Sequence, residues 1–473
     1  MTAAEPAARS SKKRPAGRFF LRRPEGDALA ARATGGARPR FVRLRERFST
    51  RTLVIAVVLA FIAALVLALV VVNAGSAEKK IQHRIERLYS VQDPEFLHVM
   101  GVLLGPPVLG GNRYRVLVNG DRIFPAMLGA IRGATKTIDF ETYIYWSGDI
   151  GKAFADALSE RARAGVKVHV LLDWIGSSKM DPALLDELKA SGVEIQKYHP
   201  PHWSHLGRLN NRTHRKLLVV DGRVGFTGGV GIAEEWTGDA QDPSHWRDTH
   251  FEVEGPVVAQ MQAVFMDNWI KTAGVVLHGA EYFPPLAAVG DGAAQVFSSS
   301  PSGGSASMEL MYLMSITAAA RTIRLSSSYF VPNELAVRTI VAALRRGVKI
   351  QIITPGGHID TETVRAASKA RWGALLAAGA EMYEYQPTMY HCKVMIVDEF
   401  MVSTGSTNFD DRSFRLNDEA NLNIYDAGFA AEQAKIFDAD LARSRRITLA
   451  QWQARPVKEK VLEQLASLFG SQL

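Results

Sequence analysis

The chain of 473 residues is long enough for two ordinary domains or for two halves of one larger core. Its single cysteine, Cys392, excludes an intrachain disulfide and a cysteine-rich zinc site. The formal net charge of +8 belongs to one end: residues 1–51 carry 14 Lys/Arg and 4 Asp/Glu, which leaves the rest at −2 and argues against a nucleic-acid-binding body, where a basic stripe is expected.

Residues 1–51 are rich in Arg, Ala, Pro and Gly and lack hydrophobic periodicity, so a basic disordered tail is expected. A solvated tail is the plain reading; attraction to anionic lipid headgroups is the functional one. Residues 53–72 are 20 uncharged, mostly aliphatic positions, which as a helix would span roughly 30 Å, the thickness of a bilayer core. Val72-Asn73-Ala74 could pass for a signal-peptide cleavage site, but the charged stretch ahead is too long and the apolar run exceeds a typical signal core. An uncleaved, single-pass transmembrane anchor over 52–73 is therefore expected. Seven arginines lie in 32–51, against Lys79, Lys80, Arg84 and Arg87 just after the anchor. The positive-inside bias then puts the N-terminus in the cytosol and the body on the outer side of the cell membrane.

After a connector over 74–111 the body shows an internal repeat. In the first half, 112–288, residues 136–145 (KTIDFETYIY) read as a buried strand, 150–164 as a helix, and 166–172 as a second strand after Gly165. In the second half, 289–440, residues 321–330 (RTIRLSSSYF), 333–346 and 348–354 repeat the pattern, with Gly347 in the place of Gly165. This alternation predicts an α/β fold with largely parallel sheets covered by helices, and two such halves suggest a pseudo-dimer with its site at the seam. The remainder, 441–473, reads as an amphipathic tail. Val457, Val461, Leu465, Leu468 and Phe469 share one helical stripe, expected to pack on the body, with the membrane surface as the lesser reading.

Both halves contain a histidine and a lysine two residues apart, followed after four residues by an aspartate. The first set is His214, Lys216 and Asp221; the second is His391, Lys393 and Asp398. On a strand, residues two apart share a face, so each imidazole would stand beside a fixed ammonium. Phosphodiester chemistry needs both: the ammonium offsets charge on the nonbridging oxygens, and the imidazole can attack or donate a proton. One such motif is usually an ordinary amphipathic strand; two at matched places in a repeat are specific. The second is followed by Gly405-Ser406-Thr407-Asn408, whose hydroxyl and amide can donate to the same phosphate.

The paired motifs resemble the phospholipase D superfamily, whose signature is HxKxxxxDxxxxxxGSxN used twice. The resemblance runs from about Asn112 to about Ala450. FETYIYW at 140–146, Arg247-Asp248 with Val253, Gly255 and Pro256, SYFVP at 328–332, YEYQPTMYHCK at 383–393 and LNDEANL at 416–422 are similar to the cardiolipin synthase branch. The resemblance implies two α/β/α halves related by a pseudo-twofold, with the histidines facing across a cleft. It implies His214 as nucleophile, His391 as acid and base, Lys216 and Lys393 clamping phosphate, and no metal or other cofactor. Glu419, 28 residues past His391, takes the position of the acid that orients a histidine; Asp248 is the matching candidate in the first half. Asp221 and Asp398 belong to the motif with a structural role, holding loops and the halves together. The first motif departs from the signature: Gly229 and Gly231 stand where Ser and Asn would, so backbone N–H groups there, at Gly229 above all, would bind phosphate instead.

Other features carry weaker signals. His199, His202 and His205 lie among prolines unsuited to regular metal geometry, and read as a loop at the cleft mouth with Trp203 near lipid. Arg365 and Arg371 could hold a second phosphate or form a solvated helix face. Gly303-Gly304 could form a phosphate-binding turn but reads as an ordinary one. The branch implies a membrane phosphatidyltransferase that joins two phosphatidylglycerols into cardiolipin and releases glycerol. A hydrolytic phospholipase D, a superfamily nuclease and a non-catalytic lipid-binding module are the alternatives. Phospholipid and membrane are the expected partners, nucleic acid is not, and the oligomeric state is left open.

Overall fold

The computed structural model describes residues 50–74, 81, 83–200, 210–300 and 307–467. The chain divides into two units, Met1–Val66 and Leu67–Leu473. The basic tail lies almost wholly outside the described residues, as do His202, Trp203, His205, the Gly303-Gly304 turn, Leu468 and Phe469. The helix Thr50–Ala74 contains the expected anchor. Its 25 residues give roughly 37 Å of axis, and the stretch Arg51–Ala68 is long and apolar enough to cross a membrane. Leu53, Ile55, Phe61 and Leu67 are all exposed.

In the second unit the expected connector carries a helix, Pro94–Leu104. The Asp93 side chain accepts from the Glu95 N–H at 2.9 Å, and Pro94 opens the first turn. Phe96, Met100 and Leu104 bury against Met311 and Met314 of the second half.

The first half runs β1 (Leu109–Val118), helix Gly120–Gly133, β2 (Thr137–Thr142), helix Asp149–Arg163, β3 (Lys167–Asp173), helix Pro182–Ala190 and β4 (Glu194–Tyr198). It continues with β5 (Arg212–Thr213), β6 (Leu217–Val220), β7 (Val224–Gly228), β8 (Thr249–Glu254) and helix Val258–Ala273. The second half runs β9 (Gly292–Ser299), helix Ser307–Ala318, β10 (Thr322–Ser327), β11 (Phe330–Val331), helix Glu334–Arg345, β12 (Lys349–Pro355), helix Glu362–Ala377 and β13 (Glu381–Tyr385). Then come β14 (Lys393–Val397), β15 (Met401–Gly405), β16 (Phe409–Asp410), helix Asp411–Arg415, β17 (Asn417–Tyr425) and helix Ala427–Ala442. The strand–helix–strand units expected from sequence are β2 to β3 and β10 to β12. Gly165 and Gly347, at φ +89° and +92°, each end the intervening helix in the left-handed region.

The two strand orders, β1-β8-β7-β6-β2-β3-β4 and β9-β17-β15-β14-β10-β12-β13, correspond strand for strand. Antiparallel pairing of β1 with β9, with Asn112 opposite Gly292, joins them into one continuous sheet. The expectation of largely parallel sheets needs correction. Only β2-β3-β4 and β10-β12-β13 are parallel; the other ladders along the sheet are antiparallel. The cause is local: each His-x-Lys strand forms a hairpin with the next, turning at Asp221 or Asp398, both at positive φ.

Helices cover both faces. Phe124 and Phe154 meet Ile138, Phe140 and Leu218 on one side; Met261 and Val264 meet Leu217, Val219 and Phe251 on the other. Each such side chain contributes about 1.5–3 kcal/mol on burial. At the chain's end β18 (Ser444–Ile447) extends the sheet beside β13, and the helix Val457–Ser467 follows. Its Val457, Val461 and Leu465 point to solvent, opposite to the packing expected of them; Ala466 and the Glu463–Arg455 ion pair form its inner side.

Candidate active site

The sequence puts each histidine on a strand, but the ladders start later, at Leu217 and Lys393. The histidines occupy the extended approach to those strands, where their backbone N–H groups are free to bond elsewhere. Both bond to the opposite half. His214 N–H donates to the Asp418 carbonyl at 2.9 Å, and His391 N–H donates to the Arg247 carbonyl at 2.8 Å. Short parallel pairings stand beside these bonds, β5 with the start of β17 and Arg247 with Tyr390.

The residue after each of those carbonyls is an acid, and each acid reaches the same histidine. Glu419 lies 3.0 Å from His214 Nδ1 through both oxygens. Asp248 Oδ2 lies 2.7 Å from His391 Nδ1. Each acid therefore serves the histidine of the other half, a pairing that the sequence left open. An ionised carboxylate only accepts, so Nδ1 carries the proton and Nε2 keeps its lone pair. Burial would raise both carboxyls, but the adjoining imidazoles and lysines hold Glu419 and Asp248 below their ordinary range.

His214, His391 and Lys216 line one cleft of about 460 Å³, together with Tyr143, Trp236, Trp246 and Asn408. Burial pulls His214 down to about 4 and His391 down to about 3, so both rings are neutral at pH 7. Burial also lowers Lys216 to about 7 and Lys393 to about 8. Lys216 Nζ donates to the His214 carbonyl at 2.8 Å, and Lys393 Nζ to the His391 carbonyl at 2.7 Å. Lys393 Nζ also reaches His391 Nε2 at 3.1 Å and donates to Ser328, whose hydroxyl donates to Asn408 Oδ1 at 2.9 Å. An imidazole lone pair beside an ammonium, twice, can attack a phosphodiester and offset its charge.

Two residues expected to bind phosphate, Ser406 and Gly229, sit elsewhere than foreseen. The Ser406 hydroxyl donates to Glu419 and is fully buried, so it props the acid rather than opening on the cleft. Gly229 occupies the matching place in the first half. Its N–H donates to the Thr249 carbonyl at 3.2 Å, and a Cβ on it would fall 2.3 Å from Asp248 Oδ1. There the missing hydroxyl is replaced by the Trp236 indole N–H, which donates to Asp248 Oδ2 at 3.0 Å. Asp221 and Asp398 lie outside the cleft. Asp221 accepts from the N–H groups of Thr135, Lys136 and Thr137, and Asp398 from those of Ala320, Arg321 and Thr322. Each fixes a turn within its own half and does not tie the halves together.

The halves are tied instead by Arg247, whose guanidinium makes two 2.9 Å bonds to buried Asp440. Arg365 ion-pairs with Glu384 at 3.1 Å and does not line the cleft. Sequence reasoning missed Trp236, Trp246 and Tyr143, which flank the imidazoles at ring-centroid distances of 5.3, 5.5 and 5.2 Å. Only Tyr143 and Ser328 fall in segments that carried the resemblance. No spacing rule links either tryptophan to a histidine far along the chain.

The sequence matches the family described as "Cardiolipin synthase, PLD-like domain" over residues 127–269 and 312–441. It is 33% identical to the cardiolipin synthase of Geobacillus kaustophilus over 367 residues, 77% of this chain and 73% of that protein. It is 34% identical to cardiolipin synthase A of Pseudomonas fluorescens over 357 residues, 74% of this chain and 73% of that one. The fold is similar to the phosphatidylserine synthase of Haemophilus influenzae, with a TM-score of 0.62 at 12% identity, over 80% of this chain and 99% of that one. With two matched repeats and relatives of this kind along most of its length, the chain belongs to the cardiolipin synthase family of phospholipase D-like phosphatidyltransferases.

Proposed function

We propose that this phosphatidyltransferase joins two phosphatidylglycerol molecules into cardiolipin and releases glycerol, through a phosphohistidine on His214. Its main support is that two imidazoles, each fixed at Nδ1 by an acid of the opposite half, line one cleft. His214 Nε2 attacks the phosphorus of the first lipid. The P–O bond to glycerol breaks, and protonated His391 gives its proton to the departing oxygen. His391, neutral in the empty cleft, acquires that proton as the anionic phosphate enters beside it. The glycerol hydroxyl of the second lipid then attacks phosphorus, returns a proton to His391, and the P–N bond breaks. Lys216, Lys393 and Asn408 hold the nonbridging oxygens. The chain's own lysines supply the positive charge for these steps.

The apolar helix would hold the enzyme beside its bilayer substrate. The arginine-rich segment before it supports a cytosolic N-terminus and a body on the outer side. Protease protection in oriented membranes tests that orientation.

Reconstitution with phosphatidylglycerol vesicles, read by mass spectrometry, tests the reaction. Cardiolipin and glycerol in equal amounts are expected. Phosphatidic acid alone would make the protein a hydrolase, and an unchanged lipid pool would overturn the proposal.

A further inference from the structure

The proposed reaction brings two phosphodiester anions into one cleft, yet only one of them is attacked. The other, in the acceptor lipid, stands a glycerol unit away from the hydroxyl that reacts. On that reading Lys216, Lys393 and the two histidines serve the first phosphate. The cleft also holds two guanidiniums with no part in that chemistry, Arg212 and Arg412.

Arg212 is two residues before His214 along the extended segment, so the two side chains leave the backbone on the same side. Arg412 comes from the other half, on the helix Asp411–Arg415 that follows Asn408 by three residues. Asn210 and Asn211, just ahead of β5, bring them together. Arg212 Nη1 donates to the Asn211 carbonyl at 2.8 Å, and Arg412 Nη2 to the neighbouring Asn210 carbonyl at 3.2 Å. Two like charges are thus anchored to consecutive peptide units. Burial lowers the Arg212 pKa, and the Arg412 charge lowers it further, against the opposing pull of Asp173. Asp173 is itself engaged by the N–H groups of Ile175, Gly176 and Thr213. A planar guanidinium pair in a cleft wall suits the two nonbridging oxygens of a phosphodiester.

We propose that Arg212 and Arg412 form a second phosphate subsite, which holds the phosphodiester of the acceptor lipid while its free hydroxyl reaches the phosphorus on His214. The inference rests on the transferase reading above. It makes acceptor choice a property of the arginine pair and separates it from donor cleavage.

Two reactions of the same phosphatidyl-enzyme separate the two subsites. Cardiolipin formation from phosphatidylglycerol needs an acceptor that carries phosphate. Exchange of isotope-labelled free glycerol into phosphatidylglycerol needs none. In vesicles of phosphatidylglycerol and phosphatidylcholine, Arg212→Gln and Arg412→Gln are expected to slow cardiolipin formation by roughly 30-fold. Glycerol exchange should fall far less, so the ratio of the two rates changes by roughly tenfold or more. Equal losses in both reactions, or no loss in either, would overturn the subsite. Should the Gln variants fail to fold by circular dichroism, Arg212→Lys and Arg412→Lys carry the test. These keep the charge without the planar fork, and should raise the KM for cardiolipin formation with no matching rise for exchange; parallel rises overturn the subsite. A wild-type protein inactive in both reactions would count against the transferase reading itself.

Discussion

Glu419 and His214 are 205 residues apart in sequence, belong to different halves, and meet with both carboxylate oxygens 3.0 Å from Nδ1. Asp248 and His391 repeat the arrangement in reverse. Replacing either acid by its amide leaves the ring's position but not its tautomer. Glu419→Gln and Asp248→Asn should each lower kcat by about 10²- to 10⁴-fold, with KM changed much less. Steady-state rates on phosphatidylglycerol vesicles check this. A drop confined to KM would mean that the acids act on substrate binding.

The two acids are propped differently, which gives the second expectation. Ser406→Ala removes one charge-assisted bond to Glu419 and should cost about tenfold in kcat. Restoring the signature residue in the first half should harm more than it helps. In Gly229→Ser the new Cβ would meet Asp248 at 2.3 Å and push it from His391. Activity should therefore fall below that of Ser406→Ala, and a rise would refute the steric argument.

The lysines set the pH dependence. Lys216, lowered to about 7, and Lys393, lowered to about 8, lose charge as pH rises through those values in the empty cleft. Phosphate needs them charged, so kcat/KM should fall above about pH 7–8. The stability trend runs the other way. A lysine whose folded pKa lies below its ordinary 10.5 penalises folding while charged, and the penalty fades as pH rises through the folded value towards 10.5. Lys216→Met should therefore melt above wild type at pH 6, with the gap narrowing towards pH 10. A gap that widens with pH would contradict this sign.

Asp398 separates a motif residue from a chemical one. It accepts three backbone N–H groups at 2.7–2.8 Å at the entry to β10, outside the cleft. Asp398→Ala should destabilise the protein by about 2–4 kcal/mol and leave kcat of the folded fraction within a few-fold. Urea unfolding together with rates normalised to folded protein tests both parts.

Buried Arg247 and Asp440 join the halves through a two-pronged ion pair. Removing one partner leaves an uncompensated charge, so Arg247→Met should cost about 3–5 kcal/mol. The double change Arg247→Met with Asp440→Leu should recover much of it. Thermal melts of the two single variants and the double variant form the cycle.

The repeat was legible because helix and strand periods recur around Gly165 and Gly347, and because His-x-Lys-x4-Asp stands at matched places. The parallel pairs β2–β3 and β10–β12 followed from the same periods. The antiparallel majority did not, since the direction of the ladder after His214 depends on a hairpin at Asp221 that no periodicity reports. The partners of Glu419 and Asp248 were equally hidden. Spacing within a half reports no partner in the other, and it is the pairings of β5 with β17 and of Arg247 with Tyr390 that bring the opposite acids to the histidines. Ser406 and Gly229 were misplaced for a related reason. A hydroxyl two strands from a phosphate site serves substrate or scaffold alike until its neighbour is known.

The crossed acids also bear on synthesis. At about 5–20 residues per second, a ribosome that has made His214 needs about 10–40 s more to reach Glu419. The apolar helix at Thr50–Ala74 emerges long before either, so on the proposed membrane reading a growing chain reaches lipid while His214 still lacks its orienting acid. A chain cut short anywhere in that interval would carry a histidine with no fixed tautomer, and the bilayer would be spared an unfinished enzyme.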